Sequence, residues 1–97
     1  MHEVALTASA KESLKELRKY DRQRIVDAIE THLRVEPTNQ ARHRKRLRPN
    51  QLAEWELRVD DYRVFYDVVE VDRLVKVVAI GYKKGNRLFI RGKEYDL

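Results

Sequence analysis

Two arginines and two glutamates lie close together in the segment EWELRVDDYRVFY, which spans residues 54–66. Arg58 and Arg63 could each bind two phosphate oxygens, because a guanidinium presents its N–H donors as a planar fork. Glu54 and Glu56 could accept or deliver a proton if their surroundings give them a suitable pKa. This set suits metal-free RNA cleavage, in which the 2′-hydroxyl attacks the neighbouring phosphate and arginine stabilises the growing charge. The same residues would equally form the solvated face of a sheet.

Other kinds of catalytic site have little support in the sequence. The chain has no cysteine, which excludes disulfides, thiol nucleophiles and cysteine-based zinc sites. The three histidines, His2, His32 and His43, are scattered without metal-ligand spacing, and His43 alone lies in a basic run where it could approach a phosphate. The stretch GYKKGNR lacks the spacing of a phosphate loop. We therefore expect neither a metal nor a cofactor.

Positive charge is concentrated in two blocks, although the formal net charge is only +5. Residues 42–48 and residues 82–93 carry five cations each and no acid, whereas residues 54–72 carry seven carboxylates. Such blocks favour a polyanionic partner, most simply a nucleic acid, although a solubilising surface would have the same composition. The candidate nucleic-acid-binding residues are Arg42, Arg44, Lys45, Arg46, Arg48, Lys84, Arg87 and Arg91.

The first half of the chain predicts a strand and two helices. Residues 2–6 alternate as a short strand, and residues 9–19 and 21–35 each show one apolar stripe of helical period. Thr7 or Ser9 can cap the first helix, because a hydroxyl accepts a hydrogen bond from a free backbone N–H. The break between the helices is short, so they should form an antiparallel hairpin that packs on a flat apolar surface.

That surface is predicted from the second half of the chain. Residues 54–59, 62–70 and 74–82 are rich in Val, Ile, Tyr and Phe and predict three antiparallel strands. Asp60 and Asp61 form the first turn, since aspartate tolerates the positive φ that tight hairpins need. The expected fold is therefore α+β: a two-layer sandwich with an N-terminal strand and a helix hairpin on one face of a mainly antiparallel sheet.

Alternation along these strands assigns the two faces of the sheet. Trp55, Leu57 and Val59 are expected to face the helices. An open, solvated face would then carry Glu54, Glu56, Arg58, Arg63, Phe65 and Asp67.

The length of 97 residues predicts one domain, residues 1–97. There is no apolar stretch of membrane-spanning length, and the N-terminus does not have the pattern of a signal peptide. A cytoplasmic protein without membrane association is therefore expected.

The order RLRP, WELRVDDYRVFYDV and VVAIGYKKGN resembles the RelE/ParE superfamily of bacterial toxins from type II toxin–antitoxin systems. The resemblance covers nearly the whole chain, and its most specific part is DYRVFY followed about twenty residues later by AIGYKK. It implies a cognate antitoxin protein as partner. RelE-like members bind the ribosomal A site and cleave mRNA, whereas ParE-like members inhibit DNA gyrase, so the resemblance leaves both targets open.

The resemblance also implies roles for three cations. Arg63 matches the arginine that contacts the scissile phosphate in RelE-like toxins. Lys83 corresponds to the cation that follows the last long strand, and Arg48 to the arginine of the loop before the sheet. All three phosphate-binding positions therefore keep a positive charge.

The chain departs from the nuclease prototype at the positions expected to move protons. Glu54 and Glu56 stand where the prototype has two lysines, and Phe89 stands where it has a catalytic tyrosine. Other nucleases of the superfamily use a glutamate as base, so Glu54 or Glu56 could serve. Tyr82 or Tyr95 could replace the missing tyrosine, but the sequence does not place either of them.

The sequence thus predicts a ribosome-dependent mRNA endonuclease, with the ribosome, mRNA and an antitoxin as partners. Two alternatives stay open: a ParE-like inhibitor of DNA gyrase, which the lost lysines and Phe89 favour, and a weakly toxic homologue that mainly binds its antitoxin. The candidate catalytic residues are Arg63, Lys83, Arg58, Glu56 and Glu54.

Overall fold

The computed structural model describes residues 1–97 and contains seven strands and two helices. The predicted α+β architecture is confirmed, since both helices pack against one mainly antiparallel sheet. Neither helix is long and apolar enough to cross a membrane. The elements are β1 (Glu3–Leu6), α1 (Ala8–Lys15), α2 (Lys19–Leu33), β2 (Arg44–Arg46), β3 (Trp55–Val59), β4 (Tyr62–Val69), β5 (Leu74–Lys84), β6 (Arg87–Ile90) and β7 (Lys93–Tyr95).

The sheet is organised around the long strand β5. Its strand order is β2-β3-β4-β5-β6-β7, and β1 pairs with β5 outside this path. One edge of β5 pairs with β4 in antiparallel fashion. The other edge pairs first with β1, in parallel fashion from Leu74 to Val77, and then with β6 from Tyr82 to Lys84. The first strand of the chain is thus held by a strand near its end.

The helix hairpin forms as predicted, with shifted boundaries. The Oγ1 atom of Thr7 accepts a hydrogen bond from the backbone N–H of Ala10 at 3.2 Å, so Thr7 caps α1. Helix α1 ends at Lys15 and α2 begins at Lys19, which makes the break wider than expected. Asp21 lies in the first turn of α2, where its charge interacts favourably with the helix dipole.

The main hydrophobic core lies between the helices and the sheet, and Trp55 faces the helices as predicted. The rings of Trp55 and Tyr66 stack with their centroids 6.2 Å apart. The hydroxyl of Tyr66 donates to the carbonyl of Pro37 at 2.6 Å, which satisfies a buried polar group. The core contains Ala10, Leu14, Ile25, Ile29, Leu33, Trp55, Leu57, Val59, Val64, Tyr66, Val75, Val77 and Ile80.

The opposite face of the sheet is not open over its whole area, so that prediction was wrong for Phe65. This side chain is fully buried in a second cluster. Strand β6 pairs with the end of β5 and places Leu88 and Ile90 on the same face as Phe65. Gly81 permits this approach, since a Cβ there would lie only 3.0 Å from side-chain atoms of both residues. The second cluster consists of Ala53, Phe65, Ala79, Leu88 and Ile90.

Candidate active site

The register of β2, β3 and β4 gathers charged side chains on the face away from the helices. Arg58 on β3 lies directly opposite Arg63 on β4, and Glu56 lies opposite Phe65. Lys45 on β2 is in turn opposite Glu56. Because directly opposite residues project to the same side of a sheet, these charges share one face, next to the second hydrophobic cluster.

A cleft of about 250 Å³ lies between this face and the C-terminal residues. Four cations line it, against the carboxylates of two acids, so it has an excess of positive charge and can attract an anion. The structure has no group of three or more histidine, cysteine, aspartate or glutamate side chains that could hold a metal ion. The cleft is lined by Lys45, Leu47, Glu56, Arg58, Arg63, Lys83, Asn86, Leu88, Tyr95, Asp96 and Leu97.

One nitrogen of the Arg63 guanidinium is held by two hydrogen bonds, and another has no hydrogen-bond partner. Its Nη1 donates to the carbonyls of Asp60, at 2.8 Å, and Tyr62, at 2.9 Å, whereas its Nε is buried without a hydrogen-bond partner. Burial lowers the pKa of Arg63, an effect that the Glu56 carboxylate opposes, and arginine nevertheless stays charged in proteins. An oxyanion in the cleft could accept from this guanidinium and reduce the cost of the unpaired donor.

Glu56 is a buried carboxylate held between two guanidinium groups. Its side chain is 8% exposed, and its Oε2 accepts from Arg58 Nε at 3.0 Å. The same oxygen lies 4.0 Å from Arg63 Nε. This pairing offsets the cost of burying the charge. It also places a potential proton acceptor beside the cations that could bind a phosphate.

Glu54, the second candidate base, lies outside the cleft. Glu54 directly precedes β3, and its carbonyl accepts a hydrogen bond from the backbone N–H of Leu47 at 2.8 Å. Its side chain is 59% exposed and lies 3.7 Å from Arg46 Nη2. It lines a neighbouring depression formed by residues 46–54 and Asp67.

Lys83 reaches the cleft from β5. It lies opposite Leu88 on β6, which belongs to the cluster on the same face. The backbone N–H of Lys83 donates to the carbonyl of Asp61 at 2.7 Å. The end of β5 is therefore attached to the turn that also holds Arg63.

Tyr95 is the tyrosine of the cleft, and the sequence had not placed it. It lies opposite Leu88 in the β6–β7 pair and lines the cleft. Phe89 and Tyr82 lie opposite each other on the helix side, where Tyr82 packs against the ring of Tyr62 with centroids 5.5 Å apart. The cleft thus has a tyrosine among its lining residues, whereas Phe89 lies on the other side of the sheet.

The sequence feature that could have predicted the position of Tyr95 is the dipeptide Arg91-Gly92. Both residues have positive φ, 51° and 80°, and a glycine favours such a turn. The turn reverses the chain so that β7 pairs back on β6. Without knowledge of this pairing, Tyr95 could not be assigned to the same site as the other candidates, because it is far from them in the sequence.

The first basic block is divided between the cleft and structural contacts. Lys45 lines the cleft. Arg44 donates from Nε to the carbonyl of Asn39 at 2.9 Å, and from Nη1 to Nδ1 of His32 at 3.1 Å. Arg46 lies over the ring of Trp55, 5.8 Å from its centroid. These two arginines therefore help to anchor β2 to the core.

The remaining basic candidates surround the cleft or lie away from it. Arg48 lines the neighbouring depression, and Arg42 and Lys84 are exposed. Arg87 pairs with Glu94 across the β6–β7 hairpin at 2.8 Å. Arg91 lines a groove on the helix side, so the structure does not bring it together with the cleft.

Comparisons with known proteins agree with this fold. The sequence matches the family model described as the ParE toxin of the type II toxin–antitoxin system parDE, over residues 4–87. No curated protein matches the sequence significantly. Among solved structures, the toxin–antitoxin complex RelBE2 from Mycobacterium tuberculosis is similar, with a TM-score of 0.73 and 22% identity, covering 84% of this chain and 98% of that chain. At this identity the likeness concerns the fold alone.

Fold and family match together define a toxin of the RelE/ParE superfamily. The chain belongs to the ParE toxin family of type II toxin–antitoxin systems. The superfamily predicted from DYRVFY and AIGYKK is therefore confirmed.

Proposed function

We propose that this toxin inhibits translation as a ribosome-dependent mRNA endonuclease. The observation that carries the proposal is the cleft itself, whose lining includes the cations Arg58, Arg63 and Lys83 together with Glu56 and Tyr95. Each kind of group that cleavage through a 2′-hydroxyl requires is present there: phosphate ligands, a proton acceptor and a proton donor.

The proposed reaction gives each group one role. Arg63, Arg58 and Lys83 bind the phosphate oxygens and stabilise the charge that grows on them in the transition state. Glu56 takes the proton of the 2′-hydroxyl while the 2′-oxygen forms its bond to phosphorus. The bond from phosphorus to the 5′-oxygen breaks, and Tyr95 protonates that oxygen. The products are a 2′,3′-cyclic phosphate and a 5′-hydroxyl. Glu56 is a better candidate for the base than Glu54, which lies outside the cleft.

The two basic blocks support attachment to RNA. Lys45 and Lys83 extend the blocks into the cleft, so an RNA strand bound there could continue over the exposed cations beside it. Such contacts are largely independent of sequence and weaken as the salt concentration rises. The proposed attachment residues are Arg42, Arg44, Lys45, Arg46, Arg48, Lys84 and Arg87. Arg91 is not among them, because it lines the groove on the helix side.

An antitoxin protein is the second proposed partner. The family match to a toxin of a type II system supports it. The similar fold also occurs in a solved toxin–antitoxin complex. The test is co-purification with the product of the adjacent reading frame.

The decisive experiment maps the 5′ ends of transcripts after the toxin is induced. New ends should occur within translated codons, and Arg63→Ala should abolish them. Lys11→Ala, which removes an exposed cation from α1, is the matched control and should cleave like the wild type. Intact transcripts after induction of a well-folded toxin would contradict the nuclease proposal.

Inhibition of DNA gyrase is the second candidate, because the matching family model is described as a ParE toxin. In that case induction should trigger a DNA-damage response while transcripts stay intact. A homologue that mainly binds its antitoxin would give neither effect and little growth arrest. One induction experiment with both readouts therefore separates the three functions.

A further inference from the structure

Helix α2 is joined to the turn between β3 and β4 by two side-chain contacts. Arg24 forms an ion pair with Asp60. The hydroxyl of Tyr62 donates to Oδ2 of Asp21 at 3.1 Å. The turn cannot move relative to the helix without breaking both contacts.

The other side of the same turn holds the cations of the cleft. The carbonyls of Asp60 and Tyr62 accept the two hydrogen bonds from Arg63 Nη1, at 2.8 and 2.9 Å. The carbonyl of Asp61 accepts from the backbone N–H of Lys83 at 2.7 Å. Three consecutive carbonyls of the turn thus set the position of Arg63 and of the strand end that carries Lys83.

The conformation of the turn itself needs support. Asp60 has a φ of 53°, in the left-handed region that residues other than glycine occupy at a steric cost. The Asp60 side chain is the one that Arg24 binds. The ion pair therefore acts on the residue whose carbonyl orients Arg63.

We propose that Asp21 and Arg24 are positioning residues for the phosphate site. They hold the turn against α2, and the carbonyls of the turn hold the guanidinium of Arg63 in place. The inference rests on the proposed function in one respect, that Arg63 binds the scissile phosphate. Neither Asp21 nor Arg24 lines the cleft, so both act through the turn.

A purely structural role predicts something different. The side chains of Arg24 and Asp60 are 45% and 55% exposed, and an exposed ion pair by itself contributes little to stability. If the pair did no more than this, its removal would leave Arg63 where it is. The position of the Arg63 guanidinium is therefore the quantity to measure.

The test follows the ¹H–¹⁵N resonance of the Arg63 Nε–H group, assigned by its loss in Arg63→Lys. Arg24→Ala should shift this resonance and slow single-turnover cleavage of ribosome-bound mRNA about tenfold, since a displacement of ~1 Å can cost up to ~100-fold. Ribosome affinity should stay the same. Tyr62→Phe releases the Asp21 contact independently and should have the same kind of effect.

Two controls complete the design. Arg24→Lys keeps a cation that can reach Asp60 and should restore most of the rate and the resonance. Gln23→Ala removes a neighbouring exposed side chain of α2 that bonds to Asp27, and should change neither readout.

The outcomes distinguish this inference from the proposed function. An unchanged Arg63 resonance in both Arg24→Ala and Tyr62→Phe would overturn the positioning role, even if Arg63→Ala abolishes cleavage. A shifted resonance with an unchanged rate would overturn it as well. If the wild type cleaves no mRNA, the nuclease proposal fails, and the resonance alone decides whether Arg24 holds Arg63 in place.

Discussion

Arg58 and Arg63 lie directly opposite each other on neighbouring antiparallel strands. Like charges in this arrangement destabilise a sheet, and Glu56 lies between them as a shared counter-charge, 3.0 Å from Arg58 Nε and 4.0 Å from Arg63 Nε. One carboxylate cannot neutralise both guanidinium groups. The hairpin therefore keeps an uncompensated positive charge at the place where a phosphate is proposed to bind.

Glu56→Gln should reduce both stability and cleavage. The amide keeps the shape of the side chain but removes the charge that faces the partly exposed guanidinium of Arg58 and the largely buried one of Arg63, and a hydrogen bond to a charged group contributes about 1.5–3 kcal/mol. Cleavage should fall about 10²–10⁴-fold, the range that a lost proton acceptor explains. Urea unfolding and a cleavage assay on ribosomes measure the two effects.

Glu54→Gln is the control for this prediction. Its carboxylate is 59% exposed and lies outside the cleft, so stability should change by less than about 0.5 kcal/mol. Cleavage should be retained. Equal losses in the two variants would show that the cleft does not distinguish the two glutamates.

Tyr95→Phe should slow cleavage without changing the fold. The ring would still pack at the edge of the cleft, while the proton for the leaving oxygen would be lost, at an expected cost of about 10²-fold in rate. Tyr82→Phe removes a hydroxyl from the opposite side of the sheet and should leave the rate unchanged. A Tyr95→Phe toxin as fast as the wild type would exclude this tyrosine as the acid.

Tyr66→Phe tests the junction between the core and the loop after α2. The hydroxyl of Tyr66 donates to the Pro37 carbonyl, and burial raises the pKa of Tyr66 well above its usual range, so it stays protonated. Its loss leaves a buried acceptor unpaired and should reduce the free energy of unfolding by about 1–3 kcal/mol. Tyr20→Phe, at a tyrosine that is 69% exposed, should have almost no effect in the same urea titration.

His32 should make stability depend on pH. Burial lowers the pKa of His32 in the folded state, and the charges of Arg44 and His43 lower it further. The unfolded chain takes up this proton near pH ~6.5. Below that pH the unfolded state binds more protons than the folded state. The contribution of neutral His32 to the free energy of unfolding is therefore complete above about pH 6.5 and is lost as the pH falls through the folded pKa.

The measurement compares the wild type with His32→Asn at pH 7.5 and pH 5.5. The stability advantage of the wild type should shrink at the lower pH. Taking the difference between the two proteins removes the contribution of carboxylates that titrate in both. An advantage that is the same at both values would contradict the role of His32.

Local patterns predicted the parts of the site that depend on neighbours in the sequence. The period of two along β3 and β4 predicted that Arg58 and Arg63 share a face, and the aspartate pair predicted the turn. Tyr95 could not be placed, because its position depends on two short pairings with β6 and through it with β5. The burial of Phe65 was missed for the same reason. The side chain of Glu54 lies beside Arg46 and outside the cleft, which the strand period alone does not predict.

The parallel pairing of β1 with β5 has a consequence for synthesis. Val4 and Leu6 face partners at Val75 and Val77, so β1 has no place in the sheet until β5 has been made. Contacts so distant in sequence form slowly. During translation the sheet therefore stays incomplete, and β1 docks only after β5 has emerged.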